Sequence, residues 1–252
     1  MPTTLVVLAH PEAQSFNGTW ADETVRLSRE AGHKVLRSDL CQMGFDPVED
    51  AHHFVDPPAP FDPLKAHEKA VQSGQLPRDV AAEVEKIAQA DRIILHFPIW
   101  WFGPPAILKG WCDRALVHGQ LHSVDQRFDQ GLCRGKKVLF CVSTGAGAAE
   151  IAYNGKEGEL EMLLWPLAHT FRYLGMTILK PTSASGVHAY FEGEQAAELQ
   201  TRLKSTLTDH ARTIAGFDQR AEILFNSDKD FDAEGRLKSD APSHSLFIRH
   251  RP

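Results

Sequence analysis

Residues 95–113, LHFPIWWFGPPAILKGWCD, form the stretch of the sequence that decides the fold. The apolar run Arg92–Phe97 leads into it and is typical of a strand that is buried in a parallel sheet. The run ends at Pro98, which cannot donate a hydrogen bond to a neighbouring strand. Four large apolar residues follow, Ile99–Phe102. After them, Gly103–Pro105 precede an amphipathic run that favours a helix begun by proline.

The aromatic residues of this stretch are therefore predicted to lie on a loop just past the carboxyl end of a central strand. Open α/β sheets bind their ligands at that edge. A flat aromatic ligand suits such a loop, because loop amides can bond its polar edge. A second interpretation stays open, since Trp and Phe after a strand also serve as core or dimer-interface residues.

Composition narrows the class of protein. The 252 residues, with 42% hydrophobic and 24% charged side chains, suit one large domain, with or without an appendage. A net charge of −6 gives no general attraction for nucleic acid or acidic membranes. No run approaches the roughly eighteen apolar residues of a membrane span, and the N-terminus has no signal-peptide pattern. We expect no nucleic-acid partner and no integral membrane segment.

The cysteines and histidines show no metal-binding spacing. The four cysteines form no CxxC pattern, and buried free thiols in a reducing cytoplasm explain them best. The 13 histidines are scattered, without an HxH or HExxH pattern, so no metal site is expected. The sequence thus predicts a cytoplasmic protein.

Five apolar runs alternate with helical patterns along the chain. The predicted strands are Thr4–Ala9, His33–Asp39, Asp91–Phe97, Lys137–Ser143 and Met176–Ser183. The predicted helices are Ser15–Ala31, Val80–Ala90, the helix that follows Pro105, Glu157–Gly175 and Glu192–Ala215. This alternation predicts a doubly wound, five-stranded parallel sheet with helices on both faces. Residues 1–215 would form that domain and residues 216–252 a C-terminal extension, packed on the domain or on a partner subunit. The proline-rich segment Met43–Asp79 is predicted to be an irregular excursion.

Three loops should meet at the carboxyl edge of this sheet. The first has no GxGxxG, but it offers His10, Ser15 and Asn17 beside the free amides of a helix N-terminus, which suits a phosphate. Ser15 could equally be only a helix cap. The loop Ser143–Gly147 lets the backbone approach a ligand closely. Together with the aromatic loop, these segments describe a pocket that fits a flavin.

The sequence resembles the NAD(P)H:quinone oxidoreductases of the flavodoxin-like superfamily, the DT-diaphorase group and its bacterial relatives. The segments that carry the resemblance are VLAHPEAQSFN (Val7–Asn17), SDLCQMGFDPV (Ser38–Val48), FPIWWFGPPAILKGW (Phe97–Trp111), STG (Ser143–Gly145) and LLWPL (Leu163–Leu167). The Phe97–Trp111 block is the most specific of them. The resemblance implies a flavodoxin-like fold and a homodimer whose active sites lie at the subunit interface.

The resemblance also implies a cofactor and a reaction. The cofactor would be FAD, with FMN as the alternative, and hydride would pass from NADH or NADPH to a quinone or similar acceptor by a ping-pong route. The residues implied to hold the diphosphate and ribityl side are His10, Ser15, Phe16 and Asn17. Those implied to surround the ring are Pro98, Ile99, Trp100, Trp101, Phe102, Ser143, Thr144, Gly145 and Ala146. No pattern favours NADH over NADPH.

The sequence departs from this family at the proton relay, a tyrosine followed about six residues later by a histidine. Tyr153 and Glu157 are the candidates here, although Tyr153 could also be an ordinary loop residue. Glu157 could donate a proton only if burial raised its pKa. The weakened relay leaves room for a regulatory flavoprotein, such as an ancillary subunit of a glutathione-gated potassium efflux system. A flavodoxin-like electron carrier is disfavoured, because the first loop lacks the hydroxyls that an FMN phosphate needs.

Overall fold

Six β-strands form one parallel sheet at the centre of the protein, which a computed structural model describes for residues 1–251. The strands are β1 (Thr3–Leu8), β2 (Lys34–Asp39), β3 (Arg92–Pro98), β4 (Lys137–Ser143), β5 (Thr177–Ile178) and β6 (Thr182–Ala184). Their order is β2-β1-β3-β4-β5, and β6 also pairs with β4, beyond the end of β5. The predicted doubly wound parallel sheet is confirmed.

Helices cover both faces of this sheet. They are α1 (Phe16–Glu30), α2 (Pro63–Ser73), α3 (Arg78–Gln89), α4 (Ala106–Ala115), α5 (Leu160–Tyr173) and α6 (Gly193–Ala215). Successive side chains of a strand point to opposite faces of the sheet. Leu95 of β3 therefore packs on the face that α3, α4 and α5 cover, whereas Ile94 packs on the face that α1 and α6 cover. Within residues 1–251, no helix has both the length and the apolar character needed to cross a bilayer.

The start of α1 is fixed by its sequence. Ser15 accepts a hydrogen bond from Gly18 N–H at 3.1 Å, so the predicted N-cap is confirmed. A side chain at position 18 would not fit, because a Cβ there would lie 2.0 Å from the carbonyl oxygen of Ala13. The helix therefore starts tight against the loop that follows β1.

The excursion between β2 and α3 contains a helix that was not predicted from the sequence. Asp62 caps α2 by accepting from the amides of Leu64 and Lys65, and Pro63 occupies its first turn. Gly74 ends the helix in the left-handed conformation. These start and stop signals are present in the sequence, but the many prolines around them favoured the prediction of an irregular segment.

The strand predicted over Met176–Ser183 is split in two. Pro181 lies in the gap between β5 and β6, where a residue without an N–H interrupts the ladder. The outer edge at this gap is paired with the extension: Lys180 N–H donates to the Ala221 carbonyl and Ile223 N–H to the Ile178 carbonyl, both at 2.8 Å. The prediction that β3 stops before Pro98 was wrong by one residue, since Pro98 pairs in register with Ser143.

The residues after α6 pack on this domain. Phe217 is fully buried beside α1 and the sheet. Further along, Phe247 stacks on Trp165 of α5 with ring centroids 4.4 Å apart. Both contacts join residues that follow α6 to the domain that precedes them.

Candidate functional site

The aromatic loop after β3 is a tight turn with unusual residues at its centre. Trp100 and Gly103 exchange backbone hydrogen bonds of 2.9 and 3.2 Å. The two residues between them, Trp101 and Phe102, have φ values of 50° and 62°. Asn and Gly normally occupy such left-handed positions, and bulky side chains there cost about 1–3 kcal/mol each. Trp101 is nevertheless 95% exposed and Phe102 57% exposed, so the strain presents two aromatic rings to the surface.

The loop after β4 faces this turn. Thr144 N–H donates to the Ala184 carbonyl, and Val187 N–H donates to the Thr144 carbonyl, both at 2.9 Å. These bonds hold the loop against the segment that follows β6. The backbone N–H groups of Gly145 and Ala146 have no acceptor among residues 1–251. They are free to donate to a ligand.

A cavity of about 250 Å³ separates the two loops. It is lined by Ile99, Trp101, Phe102, Thr144, Gly145, Ala146, Ile151, Glu157 and Leu163. The expectation that the loops after these two strands meet at the carboxyl edge is therefore correct. The cavity offers aromatic surface on one side and free amide donors on the other, which suits a flat ring with polar groups on its edge.

The first loop lies beside the other two. The His10 ring is 5.8 Å from that of Trp100, and its Nδ1 accepts from Glu12 N–H at 3.0 Å, so its Nε2–H remains available. Buried Asn17 donates from Nδ2 to Ser143 Oγ at 2.7 Å and leaves its Oδ1 without a partner in the described chain. The first-turn amides of Phe16 and Asn17 and the His10 N–H are the donors that this part of the chain offers to an anion.

A second cavity of about 630 Å³ adjoins the first and shares Gly145, Ala146 and Glu157 with it. Its other walls include Ser185, His188, Phe191 and Arg202, which no sequence pattern singled out. They come from the segment after β6 and from α6, where no motif marks them. Only the folding of that segment onto the glycine loop brings them together.

The two candidate proton donors are placed differently. Tyr153 is 80% exposed and lines neither cavity. Glu157 is half-buried, lines both cavities, and donates its backbone N–H to the Glu150 carbonyl at 3.0 Å. Glu150 itself caps the loop by accepting from Gly147 N–H, which lowers the pKa of its carboxyl. Of the two predicted residues, the fold brings only Glu157 to the site.

The donors present at this edge fit a flavin. Exposed aromatic rings and unpaired amides line a space open to a planar group, and the unpartnered Asn17 oxygen belongs to the neighbouring start of α1. The free N–H groups at the start of α1 suit an anionic tail attached to such a ring. The residues implied by the resemblance thus occupy three neighbouring loops and the ends of β3, β4 and α1 that flank them.

Comparison with known proteins gives consistent matches. A family model described as a flavodoxin-like fold matches residues 2–207. The mouse ribosyldihydronicotinamide dehydrogenase (quinone) is 34% identical over 209 residues, which cover 80% of this chain and 90% of the mouse protein. The rat NAD(P)H dehydrogenase (quinone) 1 is 34% identical over 182 residues, covering 70% of this chain and 66% of the rat protein.

The fold has a similar solved structure over nearly its whole length. A candidate quinone reductase from Klebsiella pneumoniae superposes with a TM-score of 0.83 and 28% sequence identity. The superposition covers 98% of this chain and 99% of that protein. The similarity therefore includes the C-terminal extension as well as the parallel sheet.

Proposed function

The chain belongs to the flavodoxin-like family of quinone-reducing dehydrogenases, and from this premise we propose that it is a flavin-dependent NAD(P)H:quinone oxidoreductase. The observation that carries the proposal is the strained turn that holds Trp101 and Phe102 across a cavity from the free amides of Gly145 and Ala146. The regulatory alternative is not favoured, since the relatives are named as enzymes that reduce quinones.

We propose FAD as the flavin. When bound, a flavin would supply hydride transfer from NADH or NADPH to a quinone or similar acceptor. His10, Ser15 and the amides of Phe16 and Asn17 would hold the diphosphate, because the free N–H groups at a helix N-terminus donate to anions. The residues proposed to surround the ring are Pro98, Ile99, Trp100, Trp101, Phe102, Ser143, Thr144, Gly145 and Ala146. The amide donors in this set would stabilise negative charge on the ring edge.

Glu157 is the proposed proton-holding residue. Glu157 lines the space beside the aromatic turn and also the larger cavity next to it. A carboxyl group in that position can give a proton to an acceptor oxygen or hold one between turnovers. A role for Tyr153 as proton donor stays a prediction. Because its side chain is exposed, that role requires its loop to turn toward the cavity.

A homodimer with active sites at the subunit interface is proposed for the assembly. The small cavity has one wall of exposed aromatic rings, and an exposed aromatic patch is typical of a ligand or subunit contact. A second subunit covering this wall would exclude water from the ring.

We also propose a cytoplasmic location, because all four cysteines are free thiols. Residues 1–215 are proposed as the flavin-binding domain and residues 216–252 as its extension.

The experiment that tests this function begins with purified protein. Heat releases the bound flavin, and chromatography distinguishes FAD from FMN. NADH or NADPH oxidation is then followed with a benzoquinone as acceptor. Bound FAD together with steady quinone-dependent turnover supports the proposal. A protein that cannot be loaded with flavin, or a loaded protein without quinone-dependent turnover, contradicts it.

A further inference from the structure

Two adjacent histidines and a carboxylate meet at the surface of the excursion between β2 and α3. His52 and His53 end a short 3₁₀ helix, Ala51–His53, and Asp46 lies six residues before the first of them (52 − 46). One ligand atom from each of these three side chains lies within 4.8 Å of the other two. His52 is exposed, whereas His53 and Asp46 are half-buried. The patterns HxH and HExxH do not include adjacent histidines, so the sequence does not predict a site here.

Both imidazoles approach the same carboxylate oxygen. Asp46 Oδ2 is 3.4 Å from His53 Nε2 and 3.8 Å from His52 Nε2. The two rings lie side by side, with their centroids 3.9 Å apart. Ligand atoms around a tetrahedral zinc ion with bonds of about 2.0–2.1 Å are roughly 3.4 Å from one another. The distances to Asp46 are therefore close to those that a bound zinc ion imposes.

The Asp50 carboxylate determines which nitrogen of His52 is free. Asp50 Oδ1 accepts from the backbone N–H of His52 and lies 3.0 Å from its Nδ1. These hydrogen bonds lower the pKa of Asp50, so the ionised carboxylate accepts and the neutral ring carries its proton on Nδ1. Nε2, the nitrogen near Asp46, then carries the lone pair. Metal-bound histidines almost always donate their other N–H to an outer partner, and a carboxylate is a common one.

Backbone groups of Val48 hold the other two side chains in place. Val48 N–H donates to Asp46 Oδ1 at 3.0 Å, which lowers the pKa of this carboxyl and leaves Oδ2 for an ion. His53 Nε2 donates to the Val48 carbonyl at 2.9 Å. Binding through Nε2 requires the neutral His53 ring to carry its proton on Nδ1 instead, an exchange that releases no proton. The bond to the ion then takes the place of the hydrogen bond to Val48.

We propose that Asp46, His52 and His53 bind one Zn²⁺ ion through Oδ2 and the two Nε2 atoms, with water in the fourth position. One carboxylate and two neutral imidazoles are a ligand set that zinc takes in proteins. The carboxylates of Asp46 and Asp50 together match the two positive charges of the ion. Mg²⁺ and Ca²⁺ are disfavoured, because these hard cations require sets of oxygen ligands.

The site lies where the excursion is anchored to helix α4. The Asp46 carbonyl accepts from Arg114 Nη1 at 2.8 Å, and Arg114 is buried. The positive charge of Arg114 is paired with Asp79 at 2.7 Å, so a carboxylate already compensates it beside the proposed ion. A bound ion would join the 3₁₀ helix to this anchored residue. Zinc should therefore restrain the start of the excursion.

The test uses flavin-loaded protein without a histidine tag, from which metals have been removed by a chelator. It is titrated with zinc sulfate in a calorimeter, and zinc is counted after equilibrium dialysis. We expect one Zn²⁺ per chain in the wild type and in the control His244→Gln, which removes an exposed histidine outside the cluster. Asp46→Asn, His52→Gln and His53→Gln should lose this stoichiometric binding. Asp50→Asn should bind zinc about 10–100-fold more weakly, because it lacks the ionised partner that orients His52.

Diffraction at the zinc absorption edge locates the ion even if a variant fails to fold. An anomalous peak between Asp46, His52 and His53 of the zinc-loaded wild-type protein supports the inference. Zinc bound only at other positions overturns it, and so does zinc bound equally well by His52→Gln and His53→Gln. Because quinone reduction does not enter these measurements, their outcome is independent of the function proposed above.

Discussion

Replacing the strained aromatic turn should make the protein more stable and its flavin binding weaker. The proposed double variant is Trp101→Asn with Phe102→Gly, which installs the residue pair that left-handed two-residue turns favour. Each bulky side chain at φ values of 50° and 62° costs about 1 kcal/mol or more. Because Trp101 is 95% exposed, its removal sacrifices little burial. We expect the flavin-free variant to gain about 2 kcal/mol, or roughly 4–8 °C in Tm.

The same change removes the rings that would stack on the flavin. Stacking and burial of this kind are worth about 1–3 kcal/mol, so the flavin Kd should rise roughly 5- to 150-fold. Urea denaturation of flavin-free protein measures the first effect, and quenching of flavin fluorescence measures the second. Asn154→Gly is the matched control, since Asn154 also has a positive φ, of 60°, but lines neither cavity. It should leave the flavin Kd unchanged.

Two results would refute this reasoning. A double variant that is no more stable than the wild type would show that the turn carries no strain. An unchanged flavin Kd would show that Trp101 and Phe102 do not contact the ring.

Three further predictions concern single positions. Burial lowers the pKa of His210 to about 4, so this ring binds its proton less readily in the folded chain than in the unfolded one. The protein should therefore keep full stability above about pH 6.5 and lose about 3 kcal/mol as the pH falls to about 4, in urea titrations that His210→Gln flattens. Gly18→Ala should lower Tm by several degrees in a thermal melt, because its Cβ would lie 2.0 Å from the Ala13 carbonyl oxygen; an unchanged Tm would contradict the close approach. Glu157→Gln should slow reoxidation of reduced enzyme by quinone more than reduction by NADH in stopped-flow measurements, whereas equal slowing would assign the proton to another group.

The sequence alone determined the sheet and the place of the site on it. Continuous apolar runs such as Lys137–Ser143 are long enough and uniform enough to define buried parallel strands, and this one has the predicted bounds. The alternation of strands with helices leaves few topologies, because crossovers are right-handed. Loops after β1, β3 and β4 must then meet at one edge, so the positions of His10, Trp101 and Gly145 in the chain are enough to place them at the same edge of the sheet.

Tertiary structure alone determined the conformation, the exposure and the contacts of the side chains at that edge. No local pattern indicates that Trp101 and Phe102 adopt left-handed conformations, because their intrinsic preference is against it; backbone bonds between Trp100 and Gly103 impose it. The approach of His188 to the glycine loop and the exposure of Tyr153 depend on how loops fold back on the sheet. The buried side chains of His96, Cys141 and His210 come close together through strand register and helix packing, although 115 residues span them (210 − 96 + 1). Local patterns specify which residues are buried, whereas contacts between distant residues form only once the whole chain has packed.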